Sequence, residues 1–502
     1  MRIPANSHAS RLPRTLAILA AALIVLSFTV TTAHAQPALT QLSEDTFTDS
    51  PSQHETEVEP SAFTYGSTIV TAFQVARIYG GGGADIGFAT STDGGKTWTS
   101  GYLPGITIYE GNGQNSAASD ASVAYDALHN VWLISTLPIG SSNNTVAVSR
   151  STDGINWSKP FTVTSKGSAD KNWIVCDNTA TSPYYGHCYS EWDDTSLGDF
   201  IQMSTSVDGG QTWGPALSTA SQDYGIGGVP VVQPKGKVIV PILGFNGDVI
   251  AFTSANGGKS WTKSYNVATY MPHGEDGGIR SADLISSAID AGGKVYVFWS
   301  DCRFRTNCSS NDIVYSSSTT GTKWAAVKRV PIDATTSTVD HFITGAGIAP
   351  GTKGAKAQLG LAYYYYPVSA CGNNCQLYAG FIQSSSAGKT WTTPETLAGP
   401  MQLTWLPQTF SGTMVADYIA VGFGGGKAFP IFAAAQKNKG SLFHEAIYTT
   451  TAGQEIPTLE AEVMSAEFDQ PVPDAHSDRG PMEYLDQEHL IPIPPKNPPK
   501  PN

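Results

Sequence analysis

One eight-residue phrase recurs along the chain and limits the folds that the chain can adopt. It reads STDGGKTW at 91–98, SVDGGQTW at 206–213 and SANGGKSW at 254–261. Looser copies are STDGINW at 151–157, SSTTGTKW at 317–324 and SSSAGKTW at 384–391. The copies end in Trp98, Trp157, Trp213, Trp261, Trp324 and Trp391. Their spacing of about 50–65 residues indicates a repeat architecture rather than several unrelated domains.

Each copy follows a segment in which apolar and polar residues alternate, such as DIGFATS or DVIAFTS, and this pattern predicts a half-buried strand. A second short strand follows most copies, so we interpret the phrase as the turn of a β-hairpin. Its glycines supply positive φ, its Ser and Asp oxygens cap backbone N–H groups, and its Trp packs against the neighbouring repeat. Another strand pair precedes each hairpin, most clearly at 282–300. Four antiparallel strands in each repeat predict an all-β fold, a β-propeller with four-stranded blades.

The two ends of the chain differ from this pattern. Residues 1–35 carry three arginines, no acidic residue, an apolar run and the small-x-small sequence Ala33-His34-Ala35, which predicts a secretory signal peptide. Residues 455–502 contain ten prolines and an excess of acidic residues, which predicts a disordered tail. The propeller is then residues 36–454, and the protein is secreted, either extracellular or periplasmic.

Charge and length exclude some partners. The chain has 29 Lys and Arg, 42 Asp and Glu, and no basic cluster, so we expect no nucleic-acid partner. The apolar run of the signal peptide is shorter than the roughly 20 residues that span a bilayer, so we expect no membrane association after cleavage. We expect a monomer.

The six cysteines form three local pairs, which predicts disulfides in an exported chain. The pairs are Cys176 with Cys188, Cys302 with Cys308, and Cys371 with Cys375. The alternative, a metal site, lacks His-rich or CxxC spacing.

The phrase resembles the Asp-box, or BNR repeat, S-x-D-x-G-x-x-W, which marks sialidases and related secreted propellers. Its Asp is replaced by Asn256, Thr319 and Ser386 in three copies. The resemblance implies that the boxes lie between third and fourth strands, on the face away from the active site. It also implies six blades, but segments 416–436 and 444–453 predict three more strands without a box. Residues 38–47 could supply their fourth strand, so we favour seven blades over six.

The resemblance implies a secreted, exo-α-sialidase-like glycoside hydrolase that acts on a glycan or glycoconjugate. Such an enzyme holds the substrate carboxylate with arginines and uses a Tyr nucleophile with carboxyl groups. On loops of the face opposite the boxes, we predict Arg77, Arg280 and Arg303 as substrate-binding residues. The predicted catalytic residues are Asp120, Asp170, Glu275 and Tyr364. We expect no cofactor and no catalytic metal, although the acidic loops could hold a structural calcium ion.

The alternative is a non-catalytic propeller that binds a glycan or a protein. Sialidases carry an F/Y-R-I-P motif in the first blade, and the predicted mature chain has none. Each arginine or acid could instead brace a loop. Because one fold hosts many functions, the sequence leaves both interpretations open.

Overall fold

In the computed structural model of the protein, the recurring phrase joins the third and fourth strands of successive antiparallel units. The structure describes residues 1–2, 35–281, 284–467 and 469–472. Residues 3–34 of the predicted signal peptide and 473–502 of the predicted tail lie outside this description. No helix in the described part has the length and apolar composition needed to cross a bilayer.

The strands follow one another in groups, and each group is one unit. A short strand, β1 (Leu39–Gln41), comes first. The first unit contains β2 (Glu57–Tyr65), β3 (Thr68–Arg77), β4 (Gly83–Ser91) and β5 (Thr99–Tyr102). The second contains β6 (Ala117–Asp126), β7 (Val131–Ile139), β8 (Val146–Ser151) and β9 (Phe161–Thr164). The third contains β10 (Ala169–Cys176), β11 (Cys188–Asp194), β12 (Phe200–Ser206) and β13 (Leu217–Ser218).

The next three units follow the same order. The fourth begins with two short strands, β14 (Gly225–Ile226) and β15 (Val231–Val232), followed by β16 (Val238–Gly244), β17 (Asp248–Ser254) and β18 (Tyr265–Thr269). The fifth contains β19 (Ser286–Ile289), β20 (Val295–Asp301), β21 (Asp312–Ser318) and β22 (Lys328–Arg329). The sixth contains β23 (Asp340–Ile348), β24 (Leu359–Tyr366), β25 (Gln376–Ser384) and β26 (Glu395–Gln402).

The last part of the chain forms a unit that needs a strand from the other end. A small hairpin of β27 (Gln408–Thr409) and β28 (Gly412–Thr413) precedes it. The seventh unit contains β29 (Ala420–Gly424), β30 (Lys427–Ala435) and β31 (Glu445–Thr450), and β1 pairs with β31 as its fourth strand. The short β32 (Gln454–Glu455) pairs with β30. The described 3-10 helices are Thr195–Leu197, Thr306–Cys308, Gly354–Lys356, Gly372–Asn374, Leu403–Trp405 and Leu459–Ala461.

The first box shows why the phrase makes a tight turn. Asp93 Oδ1 accepts the backbone N–H groups of Lys96 and Thr97, each at 3.0 Å, and Ser91 Oγ accepts the N–H of Gly95 at 2.8 Å. The bonds from Thr97 hold the pKa of Asp93 well below its usual value. Gly95 has φ of 91°, and a Cβ there would lie 2.2 Å from the ring of Phe429, so only glycine fits.

The box tryptophans pack on the preceding unit, as expected for a repeat. Trp157 contacts Phe88 of the first unit, and Trp391 contacts Tyr315 of the fifth. Only Trp261 and Trp391 are buried, at 4% and 1% exposure. The partly exposed ones are Trp98, Trp157, Trp213 and Trp324.

The fifth box differs from its predicted alignment. Thr320, and not Thr319, takes the place of the Asp, since Thr320 Oγ1 accepts the N–H groups of Thr322 and Lys323 at 3.3 and 3.2 Å. In the second box, Asp153 accepts the equivalent pair of N–H groups. The fifth box is therefore a shortened copy like the second.

All three predicted disulfides are present. Cys176–Cys188 joins the first and second strands of the third unit. Cys302–Cys308 and Cys371–Cys375 each close a loop between second and third strands. The bridges therefore fix short loops rather than link distant units.

The described part of the predicted tail, residues 455–467 and 469–472, contacts the units. Residues Met464 and Trp391 exchange two backbone hydrogen bonds, at 2.9 and 3.0 Å. Asp469 pairs with Arg329 Nε at 2.8 Å, and the N–H of Val472 donates to Arg303 O at 2.7 Å. We name residues 454–467 and 469–472 the strap. Prolines and acids predicted disorder from composition alone and did not register these specific contacts.

The pairing of β1 with β31 generates a stability prediction. Leu42, 2% exposed, lies just after β1, and its N–H donates to Ile447 O at 2.7 Å. We expect Leu42→Ala to cost about 2–5 kcal/mol of unfolding free energy, because it leaves a cavity between β1 and the seventh unit. Deletion of residues 36–41 should lower the melting temperature in calorimetry as well. Leu197→Ala, at a 53% exposed leucine, is the control and should change little. Equal melting temperatures for the Leu42 and Leu197 variants would contradict a structural role for β1.

Candidate functional site

Ionisable side chains lie at a bulge that recurs in the first strands of three units. The pairing register shifts at the same point in the first strands of the first, second and third units. Glu59, Asp120 and Lys171 occupy these bulges with φ of 56°, 46° and 43°. A left-handed conformation is uncommon for residues other than glycine, and bulges re-aim side chains near functional sites. The bulges turn these three side chains toward one another.

These residues and two others form a buried ionic cluster, which we name the Lys171 network. Lys171 Nζ lies 2.6 Å from Asp417 Oδ2, 3.3 Å from Asp120 Oδ1 and 3.6 Å from Glu59 Oε1. Arg280 holds the same Asp417 bidentately, with Nε 3.0 Å from Oδ1 and Nη2 2.5 Å from Oδ2. The side chains are at most 3% exposed. Two cations therefore compensate three carboxyl groups away from water.

Arg77 joins the network through an amide side chain. Its Nη1 donates to Gln74 Oε1 at 3.2 Å and to Gly82 O at 2.8 Å. Gln74 Nε2 in turn donates to Glu59 Oε2. The structure thus brings together Arg77, Arg280 and Asp120 of the predicted site.

The network separates the pKa values of its carboxyl groups. Burial raises the pKa of Glu59 well above its usual value, despite the nearby Lys171 ammonium. Burial also acts on Asp417, but Arg280 and Lys171 outweigh it and hold the pKa of Asp417 well below its usual value. Glu59 and Asp417 share a hydrogen bond. The surroundings of this pair therefore favour the protonated form of Glu59 and the ionised form of Asp417.

A tyrosine and a small cavity adjoin the network. Tyr418 is 6% exposed, its hydroxyl donates to Ala121 O at 3.5 Å, and burial raises its phenol pKa, with Glu59 and Asp120 adding to the effect. The cavity beside Asp120, Lys171 and Tyr418 has a volume of about 10 Å³. That is room for one water molecule and not for a sugar ring.

Other predicted site residues have separate surroundings. Arg303 holds Asp301 with Nε at 2.8 Å and Nη2 at 2.7 Å. Glu275 Oε1 accepts Asn311 Nδ2 at 2.9 Å. Asp170 Oδ1 accepts the N–H of Lys171 at 2.9 Å, and Asp170 lies opposite Asp193 on β11. Asp170 therefore adjoins the Lys171 network through the backbone of Lys171, whereas Arg303 pairs with Asp301 and Glu275 accepts a hydrogen bond from Asn311.

Tyr364 lies in the apolar packing between the sixth and seventh units. It is fully buried, and its hydroxyl donates to Ala433 O on β30 at 2.7 Å. Burial raises its pKa well above the usual value for a phenol. Tyr363 and Tyr366 are buried as well, and Tyr365 is partly buried, so β24 is covered along most of both faces.

Sequence reasoning did not select Glu59, Lys171, Asp417 or Tyr418 for the site. Glu59, Lys171 and Asp417 occur in the acidic segments that lead into inner strands, so their position was a usable signal. No signal in the sequence indicates that these side chains converge, because their convergence depends on bulges that a strand pattern does not reveal. Tyr418 reads as an ordinary strand residue.

A second charged cluster lies in the fifth unit and the loop after it. Arg305 Nη2 lies 2.6 Å from Asp312 Oδ1 and 2.7 Å from Asp333 Oδ1. Arg329 Nη1 lies 3.2 Å from the same Asp312 oxygen. Burial raises the pKa of Asp312 to about 6, against the effect of both arginines. Asp312, Asp333 and His341 could place one ligand atom each within 4.8 Å. Two guanidinium groups already occupy those carboxylates, so the cluster braces the loop.

Two buried acids on β11 have another environment. Glu191 is fully buried, with no hydrogen-bond partner for either carboxyl oxygen, and a Cβ at Gly228 would lie 2.4 Å from its Cδ. Burial raises the pKa of Glu191 well above its usual value. Burial raises that of Asp193 too, and Asp170 and Glu191 add to the shift. Burial therefore favours the protonated form of both carboxyl groups.

Comparison with known proteins gives structural matches only. The sequence matches no described protein family and no curated protein. A Hadza microbial sialidase, Hz136, is 12% identical with a TM-score of 0.42, over 82% of this chain and 67% of that one. NanB sialidase from Streptococcus pneumoniae is 14% identical with a TM-score of 0.42, over 86% and 71%. A protein of unknown function from Dyadobacter fermentans is 14% identical with a TM-score of 0.45, over 70% and 99%. No function follows from similarity at this level.

The ion pairs of Lys171 predict a large loss of stability when its charge is removed. We expect Lys171→Met to lower the free energy of unfolding by about 3–5 kcal/mol, because Asp417, Asp120 and Glu59 would lose a shared cation. Chemical denaturation measures the change. Lys166→Met, at an exposed lysine nearby in the chain, is the control. A Lys171 variant as stable as the Lys166 variant would show that the network is not ionised as described.

The buried acids predict that the protein is more stable in mild acid. The folded state keeps protons on groups such as Glu191 that the unfolded chain loses above pH 4.5, so stability falls as pH rises. We expect Glu191→Gln to match the native protein at pH 5, to exceed its melting temperature at pH 8, and to reduce the slope between them. One fully shifted group contributes about 1.4 kcal/mol per pH unit. Exposed Glu44→Gln is the control. An unchanged slope in Glu191→Gln would mean that Glu191 is ionised in the folded protein.

Proposed function

We propose that the units are the blades of one seven-bladed β-propeller. Two observations support a ring. Inner strands of successive units contact one another, and β2 of the first unit also contacts β29 and β30 of the seventh. In addition, Trp98 of the first box packs edge-on against Phe429 of the seventh unit, as the other box tryptophans pack on the units before them. In this arrangement β1 completes the last blade and covers its outer edge.

We propose further that the propeller is a secreted, sialidase-like glycoside hydrolase acting on a glycan with an anionic group. The observation that carries this proposal is the carboxyl pair of Glu59 and Asp417, whose pKa values are moved in opposite directions within one hydrogen-bonded network. Glycoside hydrolysis needs one carboxyl group that is protonated and a second group that is ionised or nucleophilic. The three disulfides fit an exported protein.

The proposal assigns roles to four residues of the network. Glu59 is the proton donor and Asp417 the carboxylate, while Arg280 and Arg77 provide the cationic surroundings that an anionic sugar requires. Tyr418 takes the place of Tyr364 as the phenol near the carboxyl groups. Arg303 and Glu275 stay predictions as residues of neighbouring loops.

A specific observation favours the second candidate, a non-catalytic glycan-binding propeller. The guanidinium groups of Arg280 and Arg303 are already held by Asp417 and Asp301. The cavity beside the network admits about one water molecule. In this alternative the network is a structural core, and a glycan binds to the loops above it.

The two candidates separate in one set of measurements on the purified protein. The hydrolase is expected to release methylumbelliferone from a 4-methylumbelliferyl sialoside or from another anionic glycoside of a panel. Glu59→Gln should then slow turnover about 100-fold or more, because the general acid is lost. Glu191→Gln, a buried acid outside the network, should keep the native rate.

Binding without turnover supports the second candidate. Its signature is no hydrolysis across the panel together with saturable calorimetric binding of 3′-sialyllactose or another oligosaccharide. Neither hydrolysis nor binding would reject both candidates. Hydrolysis that survives Glu59→Gln would reject the assignment of the acid while keeping the enzyme class.

A further inference from the structure

The sixth box has lost the carboxylate that holds the turn together in the first box. Ser386 stands where the first box has Asp93. In the first box, Asp93 Oδ2 accepts the hydroxyl of Thr97 at 2.7 Å. Thr390 is the equivalent of Thr97, seven positions into the phrase, so its hydroxyl has no acidic partner within its own box.

A glutamate from the strap occupies this place. Thr390 Oγ1 donates to Glu462 Oε2 at 2.6 Å, and Ser386 Oγ donates to the same oxygen at 2.8 Å. The other oxygen, Oε1, accepts Ser385 Oγ at 2.5 Å and the N–H of Ser385. Four donors of the box therefore converge on one carboxylate from a distant part of the chain.

Glu462 is more buried than the apolar side chains beside it in the strap. Glu462 is 8% exposed, whereas its apolar neighbours Leu459 and Val463 are 64% and 67% exposed. Hydrophobic side chains usually turn inward and glutamates outward, so the reversed arrangement needs a specific compensation. Charge-assisted hydrogen bonds to a carboxylate provide it.

We propose that the degenerate sixth box is a carboxylate-binding site whose ligand is Glu462, and that this contact locks the strap onto the body. In the other boxes that lack the Asp, a different side chain of the same box accepts the N–H groups of the turn. Asn256 of the fourth box keeps a side-chain oxygen that accepts Ser260 N at 3.1 Å, and Thr320 of the fifth box uses its hydroxyl.

The contact between Glu462 and the sixth box is also the start of the path that the strap follows along the units. From Glu462 the strap continues to Asp469, which pairs with Arg329, and to Val472, whose N–H donates to the carbonyl of Arg303. Arg303 lies between the second and third strands of the fifth unit, whereas the boxes lie between third and fourth strands. In this antiparallel unit those loops are at opposite ends, so the strap carries the chain from the box end to the loop end, beside a predicted site residue.

The proposal predicts that the effect of Ser386→Asp on stability changes sign when Glu462 is replaced by Ala. Glu462→Ala should lower the melting temperature and speed proteolysis of the strap by about tenfold or more, because four donors lose their acceptor. Ser386→Asp in the native background should destabilise, because it places a second carboxylate against Glu462. In the Glu462→Ala background the same Ser386→Asp should stabilise, because it restores the carboxylate within the box.

Two controls isolate the contact. Glu460→Ala removes an exposed glutamate two residues away and should leave the melting temperature and the proteolysis rate unchanged. Thr320→Asp adds a carboxylate to the fifth box, and its effect should be the same with or without Glu462. If Glu462→Ala alone fails to fold, folding of the Ser386→Asp/Glu462→Ala protein supports the proposal, and failure of both overturns it. It is equally overturned if Ser386→Asp has the same sign in both backgrounds, or if Glu462→Ala behaves like Glu460→Ala.

Discussion

A buried lysine ammonium connects the third unit directly to carboxyl groups from three other parts of the chain. Lys171 of the third unit contacts carboxyl groups of the first and second units, and Asp417 just before the seventh. Arg280, from the segment between the fourth and fifth units, holds the same Asp417. An unpaired charge in this environment would be costly, so each partner constrains the position of the others. The inner strands must therefore keep the bulges that point these side chains together.

The network belongs to a wider pattern of carboxyl groups buried within a chain of low charge. Glu57 and Glu445 lie at the junction of the first and seventh units, and burial raises the pKa of both. Ser43 donates to Glu57 at 2.8 Å and also accepts the N–H of Ile447, which fastens the segment after β1 to the same junction. Protonated carboxyl groups can be buried at lower cost than carboxylates. The surroundings at this junction therefore favour the protonated forms of Glu57 and Glu445.

The boxes show how a repeated motif tolerates loss of its defining residue. The Asp of a complete box accepts donors from its own turn, whereas the sixth box obtains its carboxylate from Glu462 of the strap. The turn geometry survives because the hydrogen-bond donors of the box are preserved. Their acceptor can come from any part of the chain that reaches them. A segment that is acidic and proline-rich by composition thereby becomes part of the folded body.

The sequence alone determined the elements that depend on local pattern. The hairpin turns follow from Ser, Asp and Gly at fixed spacing, the three disulfides from cysteines close in the chain, and the pairing of the 38–47 segment with the last unit from a missing strand. Tertiary structure decided what depends on convergence. Tyr364 is buried between sheets, and Arg303 forms an ion pair with Asp301. Glu59, Lys171 and Asp417 come together through bulges that an alternating strand pattern does not reveal. Local hydrogen bonds and spacing are encoded within a few residues, whereas the position of a buried charge is set by every unit that packs around it.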